Sequence, residues 1–240
     1  NIAENAAAVY FVSNFIKNRF LDGINQNFSN LYVLPNGIQR RLNSRPLKNK
    51  NIVFIGRLVP EKGVHMFVDS ILNIVPNNPN WKFTIIGTSK AGQTKLETTY
   101  EQQVIKKFKS LGKNTEYLGF LENFKVQEIL KSSSILVVPS LWDDPFPLTA
   151  LEGLSNGMAI IASNRGGLSE MLQGKALLIE NINEKKLENS ISNFLTNKSL
   201  LLNYQNLAWD DYIYNQTSIS EIQDRIRGDI YNKFYKKKIN

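Results

Sequence analysis

The sequence predicts an α/β fold: a doubly wound, mostly parallel sheet with helices on both faces, followed by C-terminal helices. From residue 51 onward, short apolar runs alternate with helical ones, which is the pattern of strand-helix-strand units. Runs such as Ile52-Val53-Phe54-Ile55 and Ile135-Leu136-Val137-Val138 are apolar without interruption, as parallel strands covered on both faces are. Residues suited to ligands cluster just after these runs: Arg57, Thr88, Ser89, Phe120, Asp144, Gly166 and Gly167. In open α/β sheets, ligands collect beyond the carboxyl ends of the strands.

In chain order, an apolar run at 6–12 leads into Ser13-Asn14-Phe15, and another at 31–34 is closed by Pro35-Asn36-Gly37. Residues 40–51 are polar and basic, a linker by composition. Strands are expected at 52–56, 82–87, 116–119, 134–138, 159–162 and 176–179, with helices opening near Lys62, Thr99, Lys125, Pro147 and Leu168. After Asn183 come a helix at 184–196 and a longer helical region from Leu200 that holds Trp209 and Tyr212. Last comes the basic, aromatic-laced tail Lys233-Phe234-Tyr235-Lys236-Lys237-Lys238. The expected divisions are 1–50, 51–200 and 201–240.

Composition narrows the function classes. With 42% hydrophobic residues, the 240-residue chain can bury one substantial core. No apolar run approaches the roughly 18 to 20 residues that cross a bilayer, and Asn1-Ile2-Ala3-Glu4 is not a signal peptide, so a cytoplasmic location is expected. The absence of cysteine excludes disulfides, cysteine-ligated metals and thiol chemistry. The single histidine, His65, reads as structural or surface, which leaves neither a Ser-His-Asp triad nor a zinc cluster. No Gly-x-Gly-x-x-Gly follows a strand, so no dinucleotide cofactor is expected. A formal charge of +8 favours anionic partners: nucleotides, nucleic acid or an acidic membrane surface.

The most informative stretch runs from Val138-Pro139-Ser140 through Asp143-Asp144-Pro145-Phe146-Pro147 to Leu148-Thr149-Ala150-Leu151-Glu152. It joins a buried strand to a helix. Proline suits a first helical position, which would leave the amides of Leu148, Thr149 and Ala150 open to a phosphate at the helix start. Asp144 and Glu152 bracket that point. Arg57 and Lys62 flank another strand-to-helix turn, where Gly63 permits close backbone approach and where a diphosphate would find its neutralising charges.

This acid pair resembles that of the retaining, nucleotide-sugar-dependent glycosyltransferases of the group-1, family-4 type, whose two Rossmann-like domains form the GT-B fold. Gly56-Arg57-Leu58 with Glu61-Lys62-Gly63, Val138-Pro139-Ser140, and Gly166-Gly167 with Glu170 join it in the family's order. The chain departs from the family in two places, Asp144 where Glu is usual and Pro147 where Gly is usual.

The resemblance implies a C-terminal donor-binding domain, with residues 1–50 the remnant of an acceptor-binding N-terminal domain and its linker, and a fragment inactive alone. It implies that Arg57 and Lys62 grip the donor diphosphate together with the helix start at Leu148 and Thr149. Glu152 would meet the ribose, Asp144 the transferred sugar, and Gly166 and Gly167 would admit that sugar to backbone amides. The donor would be a GDP- or UDP-hexose, with neither metal nor further cofactor. The acceptor would be a glycan or a lipid-linked glycan, as in bacterial lipopolysaccharide core synthesis by mannosyltransferases. Asp143-Asp144 is not the Asp-x-Asp metal motif of the other glycosyltransferase fold. The alternatives are a non-catalytic nucleotide-binding or scaffold module and a basic binder of membrane surfaces or nucleic acid. Peripheral contact with the anionic inner face of the cytoplasmic membrane is compatible with the first reading; nucleic acid is not expected.

Overall fold

A computed structural model describes residues 2–234. The chain divides into two compact units, Arg40–Tyr212 and a smaller one built from Asn1–Gln39 with Ile213–Asn240. The smaller unit holds α1 (Ile2–Asn5), β1 (Val9–Phe11), α2 (Asn14–Leu21) and β2 (Leu31–Val33). Strands β1 and β2 pair in parallel over a small core of Ala3, Phe11 and Leu31.

The larger unit contains β3 (Asn49–Ile55), a 3₁₀ turn (Pro60–Lys62), α3 (Val64–Ser70), α4 (Ile74–Asn77), β4 (Lys82–Ile86), α5 (Thr99–Ser110), β5 (Thr115–Tyr117) and α6 (Asn123–Ser132). It continues with β6 (Ser133–Val138), α7 (Leu148–Ser155), β7 (Ala159–Ser163), α8 (Gly166–Leu172), β8 (Leu177–Ile179), α9 (Glu184–Thr196) and α10 (Lys198–Asp210). The last helix, α11 (Gln216–Phe234), belongs to the smaller unit. The contacts therefore divide the chain near 40 and 212 rather than at 50 and 200. Part of the basic tail, residues 235–240, lies outside the described residues.

All six strands of the large sheet run parallel in the order β5-β4-β3-β6-β7-β8. Counted within the unit this is 3-2-1-4-5-6, the Rossmann-like order whose direction of winding reverses between β3 and β6. The uninterrupted apolar runs have the expected cause, since every residue of β6 and β7 is buried. Phe54, Phe67, Phe83, Phe108 and Phe194 fill the layers between sheet and helices.

Strands β3 and β4 end at glycines. Gly56 and Gly87 were expected to close β3 and β4, yet both lie just past them with φ of 159° and 129°. A Cβ on Gly87 would fall 2.0 Å from the Gly56 carbonyl oxygen, so the turns after β3 and β4 touch through bare backbone. Helix α5 opens with a capping box between Thr98 and Glu101. The fully buried Glu101 also accepts from the Ser89 amide at 2.6 Å. Burial alone would raise this carboxyl; hydrogen bonds from Thr98 and Ser89 outweigh it and hold the group below the usual range.

Candidate functional site

At the reversal point, the C-terminal ends of β3 and β6 open a cavity of about 290 Å³, bounded by Gly56, Arg57, Lys62, Ser140, Asp144 and the start of α7 at Leu148 and Thr149. Four residues singled out by sequence for the anion site, Arg57, Lys62, Leu148 and Thr149, thus share one wall with Asp144. A second cavity, of about 190 Å³, shares Ile55, Gly56 and Arg57 with the first and is otherwise lined largely by apolar groups, among them Ile86, Phe120, Leu121 and Val126.

The charges within the first cavity are partly spent. Lys62 Nζ lies 2.5 Å from Asp144 Oδ1, and the Ser140 hydroxyl donates to Asp144 Oδ2 at 2.9 Å, so the buried carboxylate is paired on both oxygens. Arg57 is exposed and, among the described residues, makes no ion pair. The free positive charge of the cavity is therefore the Arg57 guanidinium, a planar donor suited to phosphate oxygens.

Pro147 corrects the expected helix start. It precedes α7, with φ −72° and ψ 114°, and its carbonyl accepts from the amides of Ala150 at 3.2 Å and Leu151 at 3.4 Å. Ala150 is therefore already bonded, and the amides left open are those of Leu148 and Thr149, pointing from the positive end of an eight-residue helix.

Glu152 lies in the second turn of α7, outside both cavity linings. Its Oε1 accepts from Asn123 and Gln127 of α6, each at 3.1 Å, and burial pushes the carboxyl above the ordinary range against those two donors. Val126, between them in sequence, walls the second cavity. Gly166 and Gly167 have a packing role in the structure. A Cβ on Gly167 would fall 2.0 Å from the Pro145 carbonyl oxygen, and one on Gly166, where φ is +54°, 2.8 Å from that of Asp144. The Gly167 amide donates to Asp144 O at 2.7 Å. The pair seats the loop that carries Asp144, and that amide is already bonded within the protein. Glu170 is exposed on α8.

Residues 37–209 match the family of glycosyl transferases group 1. The chain belongs to this family. An uncharacterized glycosyltransferase of Methanocaldococcus jannaschii is 30% identical over 199 residues, covering 82% of this chain and 52% of its own length. A lipopolysaccharide core biosynthesis mannosyltransferase of Rhizobium meliloti is 27% identical over 119 residues, 50% of this chain and 32% of its own. Among solved structures, HepE of Anabaena in complex with UDP superimposes with a TM-score of 0.79 at 17% identity, covering 96% of this chain and 65% of that one. The chain spans about half or less of the length of these curated relatives.

In this member of the group-1 family, some site residues were not legible in advance. Arg165 reaches Asp143 at 3.4 Å and donates to the Leu141 carbonyl, clamping the Asp144 loop from outside. Asn123 and Gln127 carried a signal, since residues four apart share a helix face, but nothing local says which acid they meet. His65 is structural, its Nδ1 lying 2.7 Å from the Tyr100 hydroxyl, which burial pushes up to about 12. No group of three His, Cys, Asp or Glu among the described residues could hold a metal, and no helix among them is long and apolar enough to cross a membrane.

Proposed function

We propose that the sheet-bearing unit is the donor-binding part of a retaining glycosyltransferase that moves a hexose from a nucleoside diphosphate to a glycan or lipid-linked acceptor. The observation that carries this reading is the paired cavity at the sheet's reversal point, one lobe cationic and one apolar, joined at Gly56 and Arg57. The cationic lobe suits a diphosphate held by Arg57, Lys62 and the open amides of Leu148 and Thr149. The apolar lobe, between Phe120 and Val126, suits the nucleoside, and Glu152, held by Asn123 and Gln127 beside Val126, is the acid assigned to its ribose hydroxyls. A uridine donor is favoured by the UDP and UDP-glucose complexes of HepE. Transfer in bacterial surface polysaccharide synthesis is favoured by the lipopolysaccharide mannosyltransferase relative.

Departure of the nucleoside diphosphate leaves negative charge on its β-phosphate, and fixed cations and amides stabilise it as it develops. The arriving diphosphate competes with Asp144 for Lys62. Donor binding therefore frees the Asp144 carboxylate to accept from a sugar hydroxyl, so that the acid is presented only when a diphosphate is present.

Thermal-shift screening against UDP, GDP, ADP and their sugars tests the reading directly; no stabilisation by any nucleoside diphosphate would overturn it. Replacing Arg57 with Ala is expected to weaken nucleoside diphosphate binding by roughly 10- to 150-fold, the loss of a charge-assisted hydrogen bond of about 1.5–3 kcal/mol, while the bare nucleoside binds as before. Asp144→Asn should instead tighten the bare diphosphate roughly fivefold, because an ion pair that no longer holds Lys62 back was worth about 1 kcal/mol, and should erase any affinity the sugar adds. Weaker diphosphate binding by that variant would remove the competition. Glu152→Ala is expected to weaken diphosphate and nucleotide sugar by the same factor in calorimetry; a selective loss for the sugar would take Glu152 away from the ribose.

A further inference from the structure

The opposite end of the same sheet holds a second cationic cavity. About 330 Å³ in volume, it is bordered by Lys48, Lys50 and Lys198, backed by Trp81, Phe194 and Leu201. Lys48 and Lys50 stand at the amino end of β3, so about 20 Å of strand separates them from the Arg57 cavity. The two cationic sites are distinct.

Lys48 is committed to the fold. Its Nζ donates to the carbonyls of Asn156 at 2.7 Å, Lys131 at 2.9 Å and Leu130 at 3.4 Å, satisfying the ends of α6 and α7. Lys50 and Lys198 have no such duty. Both are exposed, and no carboxylate lies within ion-pair distance of either among the described residues. Arg45 adds a further cation nearby, bonded to Gln205 of the same cavity at 3.4 Å. No acid lines this cavity, whereas at the Arg57 site Lys62 already has Asp144. Like charges gathered around an apolar-backed hollow repel one another, and an anion relieves that repulsion.

We propose that this cavity binds a phosphate group attached to a small organic body, with Lys50 and Lys198 closing on the phosphate and the apolar lining at Leu195 and Leu202 covering the body. A phosphorylated metabolite and an anionic phospholipid headgroup present the same chemistry to these lysines.

The full chain carrying Arg57→Ala, which weakens the other cation site, is titrated at constant ionic strength with inorganic phosphate and, separately, with vesicles containing phosphatidylglycerol or phosphatidylcholine alone. Saturable binding in either the phosphate or the phosphatidylglycerol arm, weakened at least about tenfold by Lys50→Gln with Lys198→Gln, is the expected result. Phosphate binding alone identifies a soluble ligand; binding to phosphatidylglycerol vesicles but not to phosphatidylcholine identifies a headgroup. Both replaced side chains are exposed, so circular dichroism of the double variant should match the parent. Binding unchanged by the double substitution, or absent in both arms, overturns the proposal.

Discussion

Gly63→Ala is expected to destabilise the sheet-bearing unit by about 3 kcal/mol or more, the sum of a left-handed backbone penalty of about 1–2 kcal/mol and an overpacking cost of about 1–3 kcal/mol. Gly63 has φ +70°, and its added Cβ would stand 1.9 Å from the Pro139 carbonyl oxygen and 2.9 Å from its carbon. Those atoms are backbone and cannot rotate away. They are also tied in place, because the Leu141 amide donates to the Glu61 carbonyl at 2.8 Å. The methyl must push the 3₁₀ turn that ends in Lys62 away from the loop that carries Asp144. Nucleoside diphosphate affinity should then fall although no binding atom has been removed. Gly92→Ala is the control, since Gly92 has φ +77° with nothing within 4 Å of a Cβ and isolates the backbone penalty. Urea unfolding midpoints decide: equal losses for the two variants would mean that the contact with Pro139 yields freely.

Why this turn matters was only half legible in the sequence. The spacing of Arg57, Lys62 and Gly63 marked a strand-to-helix turn, and the uninterrupted apolar strands made the parallel sheet readable, because burial on both faces leaves a pattern along the chain itself. The six strands appear where expected to within a few residues, and three of the expected ends, at Gly56, Gly87 and Gly119, overran into glycines. Gly119, read as the end of a strand, has φ +65°, and β5 stops at Tyr117. What local pattern cannot carry is the identity of a partner far along the chain. Lys62 and Asp144 are 82 residues apart, and nothing in a glycine pair at 166–167 names the loop backbone it packs against. The basic stretch after residue 40 misled for a similar reason. Composition marked it as a linker, yet the Arg40 guanidinium lies 3.9 Å from the Trp209 ring centroid and 4.7 Å from that of Tyr212, and it donates to the Trp209 carbonyl at 2.7 Å. Hydropathy counts such an arginine as solvated; its stacked plane and directed donors make it part of the packing.

Lys48, in the same stretch, gives the fold a pH dependence of its own. Burial, with the nearby Arg45 adding to it, pushes the ammonium down to about 7 from its ordinary 10.5. Between those two values the unfolded chain holds a proton that the folded chain has lost, so the unfolded state binds more protons and stability rises with pH across the window. Each unit of separation corresponds to about 1.4 kcal/mol, so unfolding free energy should increase by roughly 3 kcal/mol from pH 7 to pH 9.5 through this residue. Below pH 7 both states are protonated and the contribution is flat. Lys48→Met should abolish the rise, because methionine keeps the apolar stem and has nothing to titrate. The variant also leaves the carbonyls of Leu130, Lys131 and Asn156 without their donor, but that cost is nearly constant with pH and cancels when the variant's gain over the interval is subtracted from the parent's. Guanidinium unfolding at pH 7 and 9.5 for both proteins completes the comparison. Equal pH dependence in parent and variant would mean that the three helix-end carbonyls stabilise the ammonium enough to offset its burial, and that Lys48 stays charged throughout.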